Sequence, residues 1–290
     1  MARLIKTADG RTLAVEEYGD PSGRPVLVHN GTPNSRFLYQ HVVADGAAHG
    51  LRLIGYDRPG FGGSSPHPGR TVADCAADAR AICAALGVDR VAMWGISGGG
   101  PHVLACAALL PDLVVAAASL ASLAPYGADG LDWYAGMGQE NADDFRRYFS
   151  DQQAARQKMA EDTAKAMTET PEEVAKGLET LLTPTDAAVL TGELAEYLVW
   201  STKQGLGPGY EGWWEDLVTF ASPWGFELAQ ISVPVLVMQG REDMFVPFGH
   251  GEWLARHIPG VTARLLDHDG HLTLIERRIG EVHDWLSTFF

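Results

Sequence analysis

The sequence predicts an α/β fold: a mostly parallel sheet of eight strands flanked by helices, with a helical cap inserted after the sixth strand. Three observations carry this. Short runs apolar on both faces alternate with helical patterns. A glycine-flanked serine, Gly95-Ile96-Ser97-Gly98-Gly99, stands between one such run and a helix-compatible segment. The alternation stops at about Pro125 and resumes after about Phe226.

Two extended runs open the chain, Arg3 to Thr7 and Thr12 to Tyr18, around Ala8-Asp9-Gly10-Arg11. Asp-Gly between such runs signals a hairpin. Pro25 to His29 and Leu51 to Asp57 are short apolar strands, with a helical pattern from about Arg36 to His49 between them. A helix over Val72 to Leu86 leads to the strand Val91 to Ile96, and a helix over His102 to Leu110 leads to the strand Leu113 to Ser122. Val233 to Gln239 and Ala263 to Asp267 complete the sheet, separated by a helix at His250 to His257. A single terminal helix is expected from about Leu272 to Phe289. Helices between parallel strands cover both faces of the sheet.

Residues 125–226 read as the cap, and residues 1–124 with 227–290 as the core that carries it. The stretch Asp129 to Trp200 holds 15 acidic and 6 basic residues. The cap is also rich in aromatic residues, of which Trp133, Trp213 and Trp214 are candidate walls of an apolar substrate pocket. The competing reading is that such aromatics pack the cap onto the core. Gly205-Leu206-Gly207-Pro208-Gly209 is expected to be a loop between cap helices.

The bulk properties narrow the partners. A chain of 290 residues can bury a sizeable core, and its net charge of −15 repels nucleic acid and anionic membranes. A small-molecule substrate is the expected partner, and the chain a monomer or homodimer. Cys75 and Cys83 lie eight apart in a helical pattern, roughly 12 Å along the axis and out of disulfide reach. With Cys106 they make a disulfide-free set suited to a reducing compartment, and none has metal-ligand spacing. The first ten residues lack an apolar signal region, and the run Leu113 to Ala124 is too short to span a bilayer. The cytoplasm is the expected location. No cofactor and no metal are expected.

The chemistry centres on Ser97. A serine in a tight turn between strand and helix needs neighbours without a Cβ, and the glycines at 95 and 99 supply them. The hydroxyl then stands beside the amino end of the following helix, where free N–H groups favour negative charge. Serine is a poor nucleophile without a base, and the base needs a partner to fix its tautomer. Asp243 follows the apolar strand ending at Gly240, with Glu242 beside it. An acid there points into the ligand crevice of an open sheet, or else caps a helix. His271 opens the last helix after Gly270, which lets the loop bend; His268, at the strand end, is the competing base. Asp267, His268, Asp269 and His271 are also donors of a metal-binding type, but no further ligand-rich segment stands near them. For an oxyanion, the turn His29-Asn30-Gly31-Thr32-Pro33 offers the N–H of Thr32. Gly31 permits an unusual backbone angle there and Pro33 stiffens the turn. Gly98 supplies the second N–H. His29 reads as a structural hydrogen-bonding residue.

With these motifs in order, the chain resembles the α/β-hydrolase superfamily in its capped esterase and peptidase branch. The family's His-Gly-x-Pro turn stands here as Asn30-Gly31-Thr32-Pro33, with asparagine in the histidine place. Its Asp-x-x-Gly-x-Gly-x-Ser loop stands as Asp57 to Ser64, followed by the serine turn, Gly240 to Asp243, and Gly270-His271. The likeness spans about Leu4 to Ser122 and Leu228 to Phe290. It implies a serine hydrolase with Ser97, Asp243 and His271 as its triad and with Thr32 and Gly98 as oxyanion donors. Relatives that cleave carbon–halogen bonds or epoxides carry aspartate where this chain has Ser97. A proline-iminopeptidase-like aminopeptidase is the close alternative, for which cap carboxylates would hold a substrate ammonium. A non-hydrolytic lyase or ligand-binding role is the third.

Overall fold

In the computed structural model, which describes residues 3–290, all eight expected strands form. They are β1 (Arg3–Lys6), β2 (Thr12–Gly19), β3 (Arg24–His29), β4 (Leu51–Tyr56), β5 (Val91–Ile96), β6 (Val114–Leu120), β7 (Val235–Gly240) and β8 (Thr262–Leu266). They make one sheet in the order β1-β2-β4-β3-β5-β6-β7-β8. Only β2 runs antiparallel to its neighbours, and every pair from β4 to β8 is parallel.

Side-chain alternation along the strands builds two cores. Leu27, Met93 and Val237 face one way, against α2 (Cys75–Leu86), α3 (Gly99–Leu109) and α10 (Phe248–His257). Val26, Val28, Ala92, Trp94 and Leu236 face the other, against α1 (Gln40–Ala48) and α12 (Ile279–Ser287). Both faces of the central strands are therefore apolar, as buried parallel strands require. Cys75, Cys83 and Cys106 are free and buried; the Cys75 and Cys106 sulfurs lie 3.7 Å apart, a proximity that the spacing in sequence does not reveal.

Three helices differ from expectation. α1 starts at Gln40 rather than near Arg36, because the Arg36 backbone N–H is held at 2.5 Å by the buried Asp57 carboxylate. α3 starts at Gly99, earlier than expected. Pro101 then falls in its first turn, where a missing N–H breaks no helical bond. The terminal helix is two, α11 (Leu272–Arg277) and α12, with the break at Arg278, whose guanidinium reaches Asp269 at 2.9 Å.

Between β6 and β7 the chain adds α4 (Gln139–Ser150), α5 (Gln152–Ala166), α6 (Pro171–Gly177), α7 (Pro184–Ala187), α8 (Gly192–Gly205) and α9 (Glu211–Phe220). No helix among the described residues is long and apolar enough to cross a membrane. The insertion is fastened by charge as well as by apolar packing. Asp216 on α9 is fully buried and accepts from Arg58 Nη2 at 2.6 Å, Arg70 Nη2 at 2.7 Å and the Thr32 hydroxyl at 2.6 Å. Burial alone would raise this carboxyl, but Arg58 and Arg70 outweigh it and hold the group below the usual carboxylate range.

Breaking a buried ion pair by removing one partner strands the other charge in a medium that cannot solvate it. Asp216→Ala should therefore lose about 3–5 kcal/mol of stability, and Asp216→Asn, which keeps the shape, should be nearly as damaging. Urea unfolding measures both. A loss below about 1 kcal/mol would mean that the two arginines find other partners.

Candidate active site

Ser97 joins β5 to α3 with φ of 55°, a left-handed conformation that costs a residue with a Cβ. Its surroundings leave no alternative. Ser97 N–H donates to Leu120 O at 2.9 Å, and its own carbonyl accepts Gly100 N–H at 2.9 Å. The helix comes so close to the strand ends that a Cβ on Gly99 would lie 1.8 Å from the His29 carbonyl oxygen, and one on Gly95 2.5 Å from the Gly99 oxygen. The glycines are thus required by backbone contact on both sides of the serine.

His271 lies at the head of α11, and Asp243 in the turn after β7. His271 Nδ1 donates to Asp243 Oδ2 at 2.8 Å, and both side chains are buried. The carboxylate is held by Phe245 and Val246 N–H on Oδ1, at 2.9 and 2.8 Å, and by Gln239 Nε2 on Oδ2 at 3.0 Å. Phe245 stacks on the His271 ring with centroids 4.7 Å apart. Burial opposes a charge on His271, but Asp243 and then Asp186 favour it, and together they raise its pKa above the ordinary imidazole value. The hydrogen bonds of His271 run to Asp243 and Asp186, and none reaches Ser97; the two residues meet as walls of one cavity.

The Thr32 and Gly98 N–H groups flank Ser97 and have no backbone partner among the described residues. The Thr32–Pro33 peptide is cis. Gly31, a residue that permits an unusual backbone angle, does not take a positive φ here; a Cβ there would touch Ser97 Cβ at 3.4 Å. The turn is held from behind, where the Arg58 guanidinium bonds Asn30 O and the Thr32 hydroxyl. Asn30, in the place of the family's histidine, donates to Ser35 O at 2.6 Å.

A cavity of about 400 Å³ opens over Ser97, lined by Gly98, Thr32, His271 and mainly apolar side chains, among them Trp213 on α9. Trp133 and Trp214 do not line it, and their expected place in a pocket wall is corrected. Trp133 is buried among Phe145, Tyr126 and His250, with its ring N–H on Ala124 O at 3.0 Å. Trp214 packs between Tyr148 and the Arg156 guanidinium inside the insertion. Successive residues on a helix point about 100° apart, and here Trp213 faces the cavity while Trp214 is turned to Tyr148 and Arg156.

His268 is exposed, Asp267 pairs with Arg241 at 2.7 Å, and Asp269 pairs with Arg278, so these residues do not converge with His271 on one point. Glu242 accepts the Thr185 hydroxyl, and the partner of the His271 ring is Asp243. His29 is buried and bonded to the Tyr56 hydroxyl at 3.0 Å; desolvation drives its pKa well down. Asp45, His49 and His283 bring donor atoms within 4.8 Å of one another at the α1–α12 contact, where the His283 ring already bonds Asp45 at 2.6 Å. The residues that sequence reasoning missed are Gln239, Asp186 and Asp216, which lie outside any local motif.

The pKa shifts have a sign. Because the folded value of His271 is raised, its contribution to stability is present below the ordinary imidazole pKa and fades as pH rises through the folded one. NMR titration should give His271 a midpoint above 6.5, while burial holds His250 at about 4 and His102 at about 3. A His271 midpoint below 6.5 would mean that desolvation outweighs the two carboxylates.

Known proteins resemble this chain in sequence and in fold. The chain is 25% identical over 298 residues to the AB hydrolase superfamily protein YisY of Bacillus subtilis, covering 96% of this chain and 95% of that protein. It is 28% identical to the non-heme chloroperoxidase of Streptomyces lividans, over 84% of this chain and 83% of that one. In structure it is similar to an esterase from Thermogutta terrifontis, with a TM-score of 0.72, 24% identity and coverage of 100% and 99% of the two chains. The family model for the alpha/beta hydrolase fold matches residues 24–278, the whole span from β3 to the end of α11, and the chain belongs to that family.

Proposed function

We propose that the protein is a serine hydrolase that cleaves a small-molecule ester through an acyl-enzyme on Ser97. One observation carries the reading: a serine locked in a left-handed turn shares a cavity with an imidazole whose far nitrogen is bonded to a buried, fully hydrogen-bonded carboxylate. In this reading His271 Nε2 takes the Ser97 proton as Oγ attacks the ester carbonyl. The negative charge that forms on the carbonyl oxygen is met by the Thr32 and Gly98 N–H groups. Asp243 keeps the other ring nitrogen protonated and stabilises the imidazolium. Collapse expels the alcohol, which takes the proton from His271, and water then repeats the cycle to free the acid. Residues 125–226 act as the cap that keeps water from the acyl-enzyme, over a core of residues 1–124 and 227–290.

The lining favours an apolar acyl group over a charged substrate. Asp144 and Glu169 border the cavity, but Asp144 is paired with Arg147 at 2.9 Å and Glu169 with Lys165 at 3.2 Å. An aminopeptidase would need carboxylates free to bind an ammonium, and these are already matched. A lyase or ligand-binding role would leave Ser97 unacylated, so covalent labelling separates it from hydrolysis.

Ser97→Ala should abolish labelling by a fluorophosphonate and lower ester turnover by roughly 10³-fold or more, with the fold intact by circular dichroism. Turnover that survives in clean protein would assign the chemistry elsewhere. Across p-nitrophenyl esters of increasing chain length, Trp213→Ala should shift the preferred acyl length while Trp214→Ala should lower stability and keep the ranking. The reverse pattern would place the acyl pocket on the Trp214 face of α9, and an unchanged ranking in both variants would place it away from these two side chains. Amino-acid anilides assayed beside them test the peptidase alternative.

A further inference from the structure

A buried carboxylate from the insertion reaches the backbone of His271. Asp186, on α7, is fully buried. Its Oδ2 accepts the His271 N–H at 2.7 Å, and its Oδ1 accepts Leu272 and Thr273 N–H at 2.8 and 3.1 Å. These are the unpaired donors at the head of α11. Helix heads are ordinarily capped by a residue adjacent in sequence; here the cap comes from 85 residues earlier in the chain. Gly270 is shaped to this contact, since a Cβ there would lie 2.4 Å from Asp186 Oδ2. The Asp186 amide is in turn bonded to the Thr183 hydroxyl at 3.5 Å, and the neighbouring Thr185 hydroxyl bonds Glu242, next to Asp243.

We infer that Asp186 is a positioning residue for His271: it fixes the backbone from which the imidazole projects, and its negative charge favours the imidazolium that forms when Ser97 gives up its proton. The inference rests on the proposed hydrolase reading. It makes the insertion part of the catalytic apparatus, so α7 must stay seated on α11 while substrate enters elsewhere. The charged groups that face this corner are Asp243 after β7, Asp186 on α7, Glu242 bonded to Thr185, and the Asp269–Arg278 pair flanking α11. His250 on α10, near Asp243, is held neutral by burial. Of these, Asp243 and Asp186 are the two that favour charge on His271.

The test reads the rate of Ser97 labelling by a fluorophosphonate against pH, which needs no knowledge of the natural substrate. Asp186→Asn keeps the shape, removes the charge and leaves one acceptor oxygen of the two, so its labelling midpoint should move to lower pH than in the wild type. Asp186→Ala also removes the acceptors and should cut the plateau rate by about 10- to 100-fold, the scale of a small misplacement of a reacting group. Ile82→Ala, at a buried position of α2 in the core on the other face of the sheet, is the control for lost stability and should leave the midpoint in place. A midpoint unchanged or raised in Asp186→Asn would overturn the inference, as would a shift equal to that of Ile82→Ala. If the variants do not fold, hydrogen exchange in the wild type decides: the His271, Leu272 and Thr273 amides should be protected like core amides, and rapid exchange would overturn it. If wild-type Ser97 never labels, the hydrolase reading fails and the same exchange measurement judges the Asp186 contact by itself.

Discussion

The first turn of α3 lies almost in contact with the ends of β3 and β5, and much of the site is set by that approach. At Gly99 there is no room for a single carbon between the helix and the His29 carbonyl. The chain can pass from β5 into α3 only by a sharp turn, and Ser97 takes the left-handed conformation at its apex. A strained residue persists only where its surroundings over-determine it. Here they do so through packed backbone on both sides and hydrogen bonds to Leu120 and Gly100. The same approach brings the turn after β3 beside the serine, with Gly31 against Ser97 and the Thr32 side chain against Gly98.

The second organising feature is buried negative charge that is matched at every oxygen. Asp57, Asp186, Asp216 and Asp243 all lie inside the protein. Asp57 is met by Arg36 and the Gly63 N–H, Asp216 by two arginines and a hydroxyl, and Asp243 by two backbone N–H groups, an amide and His271. A buried carboxylate without such partners would be expensive. With them, each becomes a fixed joint that holds two distant segments in register. Two of these joints belong to the insertion, one against the Thr32 turn and one against the His271 helix. The insertion is therefore anchored to both sides of the serine, and its packing and the site's geometry are parts of one structure.

The cavity adds a contrast in polarity. Its walls are mainly apolar, and the acidic residues at its border are spent on neighbouring bases. At this border the negative charge of the insertion is met by local ion pairs. The aromatic residues of the insertion pack on one another, as Trp214 does on Tyr148, or on the core, as Tyr197 does on Tyr39, and Trp213 is among those that line the cavity.

The strands, the order of the core helices and the serine turn were legible in the sequence, because each is written in a local pattern. A buried parallel strand must be apolar on both faces, and a serine turned out between strand and helix must have glycines around it. The candidates Asp243 and His271 could be named from their positions just past strand ends, where an open sheet forms its crevice. Details of helix ends were not legible where a distant carboxylate intervened, as Asp57 does at Arg36. Tertiary structure alone decided that Asp186 caps the helix of His271, that Asp216 joins α9 to Arg58 and Arg70, and that Trp213 faces the cavity while Trp133 and Trp214 do not. Each of these depends on groups brought together from positions far apart in the chain, and such a meeting has no period, spacing or composition by which a sequence could announce it.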